Sequence, residues 1–179
     1  MGTSLGGLSA LQTMLKGVPE HFTAAIAIVQ HRDRGSTEML SRILQQESVL
    51  PVLEVEDKEP ICPSSVYLAP PDYHLLVESE CFSLSVDPPV AFSRPAIDVL
   101  FESAAKAHRQ RVVGVILTGA NQDGAAGLAA IKANGGTAIV QDPRTAECPI
   151  MPEAALSRSQ VDYVVPLHQI SSILVTLCC

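Results

Sequence analysis

Short, unbroken apolar runs recur along the chain and predict the buried strands of a sheet. Three of them are rich in β-branched residues and contain no alternating polar positions: AAIAIV (24–29), VVGVIL (112–117) and TAIV (137–140). Strands buried on both faces, as in a parallel sheet, show this pattern, although periodicity alone leaves a short buried helix open. We therefore expect a parallel sheet at the centre of the fold.

Helical spacing of apolar residues fills the segments between these runs. Leu8, Leu11, Met14 and Leu15 share one face of a predicted helix that ends before Gly17. Further helices are predicted after a cap at Ser36 with Met39 and Leu44 inward, with Pro95 in the first turn ahead of Ile97 and Leu100, and over 124–132, 152–158 and 170–177.

The middle of the chain interrupts this alternation of strand and helix. VYLAP (66–70), HLLVE (74–78) and FSLSV (82–86) follow one another with short turn-like connections, which favours antiparallel hairpins. The sequence predicts an α/β fold with a doubly wound, mostly parallel sheet, helices on both faces, and an antiparallel hairpin excursion near residues 66–86.

Composition narrows the class of protein. The chain has 179 residues, 47% of them hydrophobic, which suits one domain over 1–179 with a full core. A net charge of −7 argues against nucleic acid or an anionic membrane as partner, and no apolar run is long enough for membrane insertion. Five cysteines without CxxC spacing favour a reduced, cytoplasmic setting.

The first residues raise the question of a nucleophile. Gly2-Thr3-Ser4-Leu5-Gly6 matches the G-x-S-x-G turn that presents a serine between a strand and a helix. A frayed terminus or a phosphate-cradling loop are alternatives, although no Gly-Lys-Ser/Thr follows. Because Met1 leaves no room for a strand, we expect that the first strand lies upstream and that the sheet position beside Ser4 is empty or filled by a neighbouring chain.

Two other polar residues follow predicted strands. His31 closes the first apolar run, and Asp123 follows the second; taken singly, each suits a structural role, Asp123 as a helix N-cap. Together with Ser4 they form a nucleophile, a base and an orienting acid at carboxyl ends of strands, where open α/β sheets place their sites. His168 with Asp142 is a weaker alternative. The histidines show no metal-ligand spacing, and we expect neither metal nor cofactor.

Several motifs, in the same order along the chain, resemble the CheB protein-glutamate methylesterase family of chemotaxis. They are GTSLGG, the strand ending in QH, VYLAPPDYHLLV, DPPVAFSRPAIDVLF, VILTGANQDGAAGL, IVQDP and MPEAAL. The resemblance spans residue 2 to about 173 and implies a doubly wound domain with Ser4, His31 and Asp123 as its Ser–His–Asp triad. It also implies hydrolysis of glutamate γ-methyl esters on chemoreceptors, with glutamine deamidation as a second activity.

Departures from the family pattern surround this triad. Leu5 replaces a threonine, Arg32 follows the histidine where a methionine is usual, Ala120 and Asn121 replace Met-Gly, and Ser93 replaces a histidine. We expect backbone N–H groups near Leu5 and Ala120 to form an oxyanion hole and Arg32 to charge the rim. The alternatives are a non-catalytic docking module and a small-ester hydrolase outside chemotaxis.

The resemblance also implies partners. These are the methylated cytoplasmic helices of chemoreceptors, in a phosphorelay pathway, and a receiver or methyltransferase module in the same or another chain. No segment of the sequence resembles a receiver domain.

Overall fold

The apolar runs form the central strands of a parallel sheet. A computed structural model describes residues 1–31 and 39–179. Within them the elements are β1 (Gly2–Thr3), α1 (Gly7–Lys16), β2 (Ile26–Gln30), α2 (Met39–Gln45), β3 (Val52–Glu54), β4 (Val66–Leu68), β5 (His74–Val77), β6 (Phe82–Ser85), α3 (Ile97–His108), β7 (Val113–Ile116), α4 (Ala125–Ala133), β8 (Thr137–Gln141), α5 (Ile150–Arg158), β9 (Tyr163–Val165) and α6 (Leu167–Cys178).

The main sheet has the strand order β3-β4-β2-β1-β7-β8-β9 among the described residues. All six neighbouring pairs in it run parallel. β2, β4 and β3 lie on one side of β1, and β7, β8 and β9 lie on the other, so the carboxyl ends of β2, β1 and β7 meet at the point where the winding reverses. This doubly wound arrangement confirms the predicted fold class and is where such sheets bind their ligands.

Two apolar clusters, one on each face of the sheet, explain the unbroken runs. Adjacent strand residues point to opposite faces. Ile28 packs into the cluster that includes α1 and α6, and Val29 into the cluster that includes α3, α4 and α5. Val115 and Ile116 divide in the same way. Both faces of the central strands are therefore buried by helices.

The antiparallel excursion is smaller than the sequence predicted. β5 and β6 pair antiparallel, as expected. β4 instead lies inside the main sheet, parallel to both β2 and β3. All three of its residues, Val66 to Leu68, are buried. The interpretation of 66–70 as a hairpin strand was wrong. It gave more weight to the short connection to the next strand than to the unbroken apolar run, which is typical of a strand buried on both faces.

A strand does precede Ser4, contrary to expectation. Gly2 pairs with Val29 of β2 and Ile116 of β7. The Met1 amine donates to the Ala27 carbonyl at 2.6 Å. The sheet position directly beside Ser4 is thus filled by this chain's own residues, and the expectation that it is empty was wrong.

The helices lie within three residues of their predicted positions, with some local differences. Leu8 is exposed, whereas Leu11, Met14 and Leu15 are buried as predicted. Pro95 lies ahead of the α3 cap instead of in its first turn. The predicted cap at Ser36 lies outside the described residues. In the described part of the chain, no helix combines the length and apolar character needed to cross a membrane.

Candidate active site

Ser4 lies on a turn that three hydrogen bonds hold in place. Its N–H donates to the Thr118 carbonyl at 3.0 Å, and its own carbonyl accepts from the Gly7 N–H at 2.9 Å. The Gln30 side-chain amide also donates to that carbonyl, at 2.9 Å. These bonds join β1, β2 and the loop after β7 to one residue. The position of Ser4 is therefore fixed by the three central strands.

The glycines around Ser4 are needed for close approach and for the turn itself. A Cβ on Gly2 would collide with the Ile97 side chain of α3. Gly6 adopts φ 76°, where side chains are disfavoured, and a Cβ there would lie 2.7 Å from Glu147 Oε2. Ser4 itself is not among the residues with positive φ. The left-handed residue of this turn is Gly6, and the serine is held without that strain.

His31 follows β2 as Ser4 follows β1. Thr3 and Gln30 are paired across the two strands, and the His31 N–H donates to the Thr3 carbonyl at 3.1 Å. Neighbouring strands lie about 4.8 Å apart, so the two residues that come next are side by side. Ser4 and His31 both line an open cavity of about 570 Å³ at the carboxyl edge of the sheet.

Asp123 contacts the far side of the imidazole. Its Oδ2 lies 2.7 Å from His31 Nε2, and its side chain is fully buried. The same Oδ2 accepts from the Ile97 N–H at 2.6 Å, and Oδ1 accepts from the Asp98 N–H at 2.9 Å. The amino end of α3 therefore holds this carboxylate in place through two backbone N–H groups. Asp123 is a helix cap, as the simpler interpretation had it, but it caps α3 and not α4, which begins just after Gly124.

Asn121 contacts the other ring nitrogen of His31. Its Oδ1 accepts from the Asp123 N–H at 3.1 Å, which orients the amide so that Nδ2 faces His31 Nδ1 at 3.3 Å. A carboxylate accepts and an amide NH₂ donates. In a neutral imidazole these contacts place the proton on Nε2 and a lone pair on Nδ1. That lone pair is the one available to a base.

The structure brings together part of the predicted triad as hydrogen-bonded groups. His31 and Asp123 are paired, as expected. Ser4 lies beside His31, but its Oγ forms no hydrogen bond with a described residue, and Asn121 contacts the nitrogen expected to face it. The catalytic roles of all three residues stay predictions. Apo enzymes often show such loose contacts between nucleophile and base.

The other predicted site residues are placed as follows. The N–H groups of Leu5 and Ala120 donate to no described residue, so they remain predicted oxyanion donors. Arg32 lies outside the described residues. The alternative pair is not assembled, because Asp142 binds Arg144 at 2.6 Å, which holds the pKa of that carboxyl below its usual value. His168 is exposed on α6 and hydrogen-bonds to no described residue.

Sequence reasoning missed three residues around the cavity. Asn121 was visible only as a departure from the resembled family. Gln30, noted for its motif alone, anchors the Ser4 carbonyl, and its own Oε1 is buried without a partner among the described residues. Glu147 adds an exposed carboxylate to the cavity wall. No three His, Cys, Asp or Glu side chains gather as metal ligands in the described part of the chain.

Comparison with known proteins adds a family and a fold. The model of the CheB methylesterase family matches residues 1–174. A Leptospira interrogans protein, whose name gives both methylesterase and glutaminase activities provisionally, is 47% identical over 99% of this chain and 92% of its own length. An Anaeromyxobacter dehalogenans protein-glutamate methylesterase/protein-glutamine glutaminase is 42% identical over 95% of this chain. The chain spans 50% of that relative's length.

A solved structure has the same fold. The crystal structure of the Thermotoga maritima CheB methylesterase catalytic domain superposes with a TM-score of 0.95 and 35% sequence identity. The match covers 98% of this chain and 95% of that one. The chain therefore has the fold of that catalytic domain over nearly its whole length.

Proposed function

The chain belongs to the CheB methylesterase family, and from that premise we propose that it hydrolyses glutamate γ-methyl esters on methyl-accepting chemotaxis receptors. The products are methanol and a glutamate carboxylate. The observation that supports this proposal most strongly is the buried Asp123 carboxylate, which lies 2.7 Å from His31 in the cavity that Ser4 also lines. Glutamine deamidation would use the same groups, with ammonia as the leaving group.

In the first half of the reaction Ser4 acts as nucleophile. His31 Nδ1 accepts the proton of Ser4 Oγ as the oxygen attacks the ester carbonyl. The C–O bond to the methoxy group then breaks, and the imidazolium returns the proton to form methanol. Asp123 holds Nε2–H throughout and stabilises the imidazolium charge. The ester is now an acyl group on Ser4.

In the second half water replaces Ser4. His31 Nδ1 takes a proton from water as the water oxygen attacks the acyl carbon. The bond between the acyl carbon and Ser4 Oγ then breaks, and the proton passes from His31 to Oγ. The negative oxygen of both tetrahedral intermediates would face the Leu5 and Ala120 N–H groups. Such donors contribute roughly 10²–10³ each in rate. No cofactor enters this sequence of steps.

The partners proposed for this activity are acidic, helical and cytoplasmic. They are the methylated helices of chemoreceptors, together with a receiver or methyltransferase module in the same or another chain. Arg32, the residue after His31 in sequence, would attract the Glu-rich receptor segment, and its replacement would mainly raise KM. The acidic net charge of −7 supports neither nucleic acid nor a membrane surface as a partner.

Methanol release from receptor membranes carrying labelled methyl esters tests this function. Ser4→Ala and His31→Ala should each lower the rate by at least about 10³-fold, and the double variant should lose no more, because members of a triad act as a unit. Ser172→Ala and His168→Ala, at exposed positions on α6, are the matched controls and should keep the wild-type rate.

The rival function is docking without catalysis, and one observation favours it. Asn121 contacts the ring nitrogen that a catalytic His31 must offer to Ser4. Under that alternative, wild type and Ser4→Ala release methanol at the same low rate and bind receptor membranes equally. A large loss in Ser4→Ala with unchanged binding excludes docking alone. A rate on small esters with none on receptor would favour a hydrolase outside chemotaxis.

A further inference from the structure

A strained turn with a fully exposed aromatic ring lies in the segment ahead of α3. Val90 and Ser93 exchange two backbone hydrogen bonds, of 3.1 and 2.9 Å, around the two residues between them. Those residues, Ala91 and Phe92, have φ of 49° and 64°. Phe92 is fully exposed, with a relative solvent-accessible surface area of 104%. The turn therefore presents the ring at its tip, free of the fold.

This pair of residues is the wrong chemistry for its backbone. Two-residue turns with φ positive at both positions are formed by Asn-Gly, Asp-Gly or Gly-Gly, because other side chains crowd the left-handed region. Neither Ala91 nor Phe92 has a polar side chain that could compensate. Single exposed apolar residues are common. A bulky residue that has a strained backbone conformation and is also fully exposed is uncommon, and the combination points to function.

The base of the turn is rigid. The Arg94 guanidinium binds Asp72 Oδ1 at 2.6 Å and donates to the Val86 carbonyl at 2.7 Å. Buried His74 accepts from the Ala96 N–H at 3.2 Å through Nδ1. These contacts fix both sides of the segment from which the turn projects. The ring is thus pre-positioned, which lowers the entropy lost when it binds.

The turn is also close to the candidate active site. Ile97, five residues after Phe92, donates its N–H to the Asp123 oxygen that binds His31. Five residues span at most about 18 Å. A helical protein seated with one glutamate side chain at His31 would lie within reach of the ring.

We propose that Phe92 is a docking anchor for the protein substrate. Its ring inserts among apolar side chains of the receptor helices next to the ester being hydrolysed. The proposal rests on the proposed function. Leu5, immediately beside Ser4, is 55% exposed and adds apolar surface at the reacting group itself. A methylated glutamate is uncharged, so an apolar contact suits the modified form of the substrate.

The size of the contact favours a transient partner. An aromatic side chain buries about 150–250 Å², whereas a stable interface buries about 1,200–2,000 Å². Phe92 by itself cannot hold two copies of this chain together. A small anchor in a rigid turn suits an enzyme that must release each product, and an anchor of this kind carries a large share of a weak binding energy.

Three variants test the anchor. Phe92→Ala removes the ring, and the double variant Ala91→Asn/Phe92→Gly removes it while giving the turn its preferred residues. Tyr163→Ala, which removes a half-exposed ring on edge strand β9, is the control. We expect both Phe92 variants to raise KM for methylated receptor about tenfold with kcat unchanged. The double variant should at the same time raise Tm, and the control should match wild type.

A small ester separates docking from damage. Hydrolysis of the γ-methyl ester of N-acetylglutamate needs Ser4 and His31 but offers nothing for Phe92 to contact. Its kcat/KM should be unchanged in both Phe92 variants. A double variant that is more stable and has a wild-type KM for receptor would overturn the proposal. So would an equal loss on both substrates, which would give the turn a structural role.

Binding is measured separately from catalysis. In sedimentation with receptor membranes, weaker binding of both Phe92 variants supports the anchor. This holds even if wild type releases no methanol, because that result would contradict only the proposed function. Equal binding by wild type and both variants overturns it. A Phe92-dependent dimer in analytical ultracentrifugation, with receptor binding unchanged, would also overturn it in favour of a second copy as the partner.

Discussion

At the scale of single residues, Asn121 restricts which nitrogen of the His31 ring can carry a proton. Its amide oxygen is held by the Asp123 N–H, so its NH₂ group faces His31 Nδ1 at 3.3 Å. A proton on Nδ1 would meet that NH₂ group instead of an acceptor. Asn121 thus matches the tautomer with its proton on Nε2 and, at the same time, occupies the lone pair that a catalytic Ser4 would need.

Two substitutions at Asn121 should act in opposite directions. Asn121→Gly frees Nδ1 and should raise kcat about two- to tenfold, the range expected for one weak hydrogen bond. Asn121→Asp replaces the donor with a charged acceptor, which favours a protonated ring. It should lower kcat at neutral pH and move the acid limb of the pH–kcat profile to higher pH. KM should change little in either variant.

The measurement is the pH dependence of methanol release, with Gln122→Ala, at an exposed neighbouring position, as control. Equal losses in Asn121→Gly and Asn121→Asp without a shift of the acid limb would show that Asn121 only shapes the loop. The chemistry assigned to its amide would then be wrong.

At the residue level, sequence could predict where the candidate residues lie, because position along a strand fixes it, while their catalytic roles stay predictions. Ser4, His31 and Asp123 each directly follow or lie just beyond a central strand, and parallel strands bring their carboxyl ends together. The sequence could not show that Asp123 binds the amino end of α3, or that Asn121 faces His31. Both contacts depend on the path of loops, which no periodicity records.

At the scale of elements, α3 and α4 cap each other. Asp123, ahead of α4, accepts from the first N–H groups of α3, and Asp98 in α3 accepts from the Gly127 N–H of α4 at 2.6 Å. The carboxylate that orients His31 is therefore part of the contact between two helices. The geometry of the candidate site and the packing of the two helices depend on the same residues.

Substitutions at Asp98 separate the effect of its charge on stability from the effect of its hydrogen bond to Gly127. Burial, assisted by the neighbouring Asp123 charge, raises the pKa of Asp98. Its charged form is therefore disfavoured in the folded state, and its contribution to stability falls as pH rises through its folded pKa. Asp98→Asn keeps an acceptor for Gly127 and should be at least as stable as wild type at pH 7. Asp98→Ala should be less stable by about 1 kcal/mol.

Chemical denaturation at pH 4 and pH 7 makes this comparison, with Glu102→Ala on the exposed face of α3 as control. The advantage of Asp98→Asn over wild type should grow between the two values. A loss in Asp98→Asn as large as in Asp98→Ala at pH 7 would mean that the charge itself stabilises the helix pair.

Elements were predictable in proportion to their length and burial. β2, β7 and β8 have four or five residues and are buried on both faces, so their unbroken apolar runs predicted them as strands. β1, β3 and β9 have two or three residues and were not predicted. The partly exposed Val52–Glu54 and Tyr163–Val165 owe their strand conformation to the neighbour they pair with, which local sequence does not reveal.

At the scale of the whole molecule, β1 joins the two halves of the sheet over a short length only. Below Met1 a cavity of about 260 Å³ opens, and its walls include Ile26 and Ala27 of β2 and Val113 of β7. These residues belong to the two strands that flank β1 in the sheet. The Met1 amine at the top of the cavity is buried, and burial lowers its pKa from 8.0 to about 5.

This amine should make stability depend on pH in protein that carries a free Met1 amine. Between about pH 5 and pH 8 the unfolded chain binds a proton that the folded chain does not, so the free energy of unfolding rises with pH across that window. The slope is at most about 1.4 kcal/mol per pH unit for one proton. Denaturation at pH 5.5 and 7.5 measures it.

Two extensions ahead of Met1 separate the charge from the cavity. Gly-Ser-Gly converts the amine into an amide that can still donate to the Ala27 carbonyl, and it should remove most of the slope without filling the cavity. Val-Val-Ile should remove the slope equally and also continue β1 between β2 and β7, because β-branched residues suit a strand buried on both faces. Its Tm should exceed that of the Gly-Ser-Gly protein at every pH. Equal Tm values for the two extensions would show that the space beside Ile26 and Val113 does not accept a strand. An unchanged slope in both would show that the titrating group is not Met1.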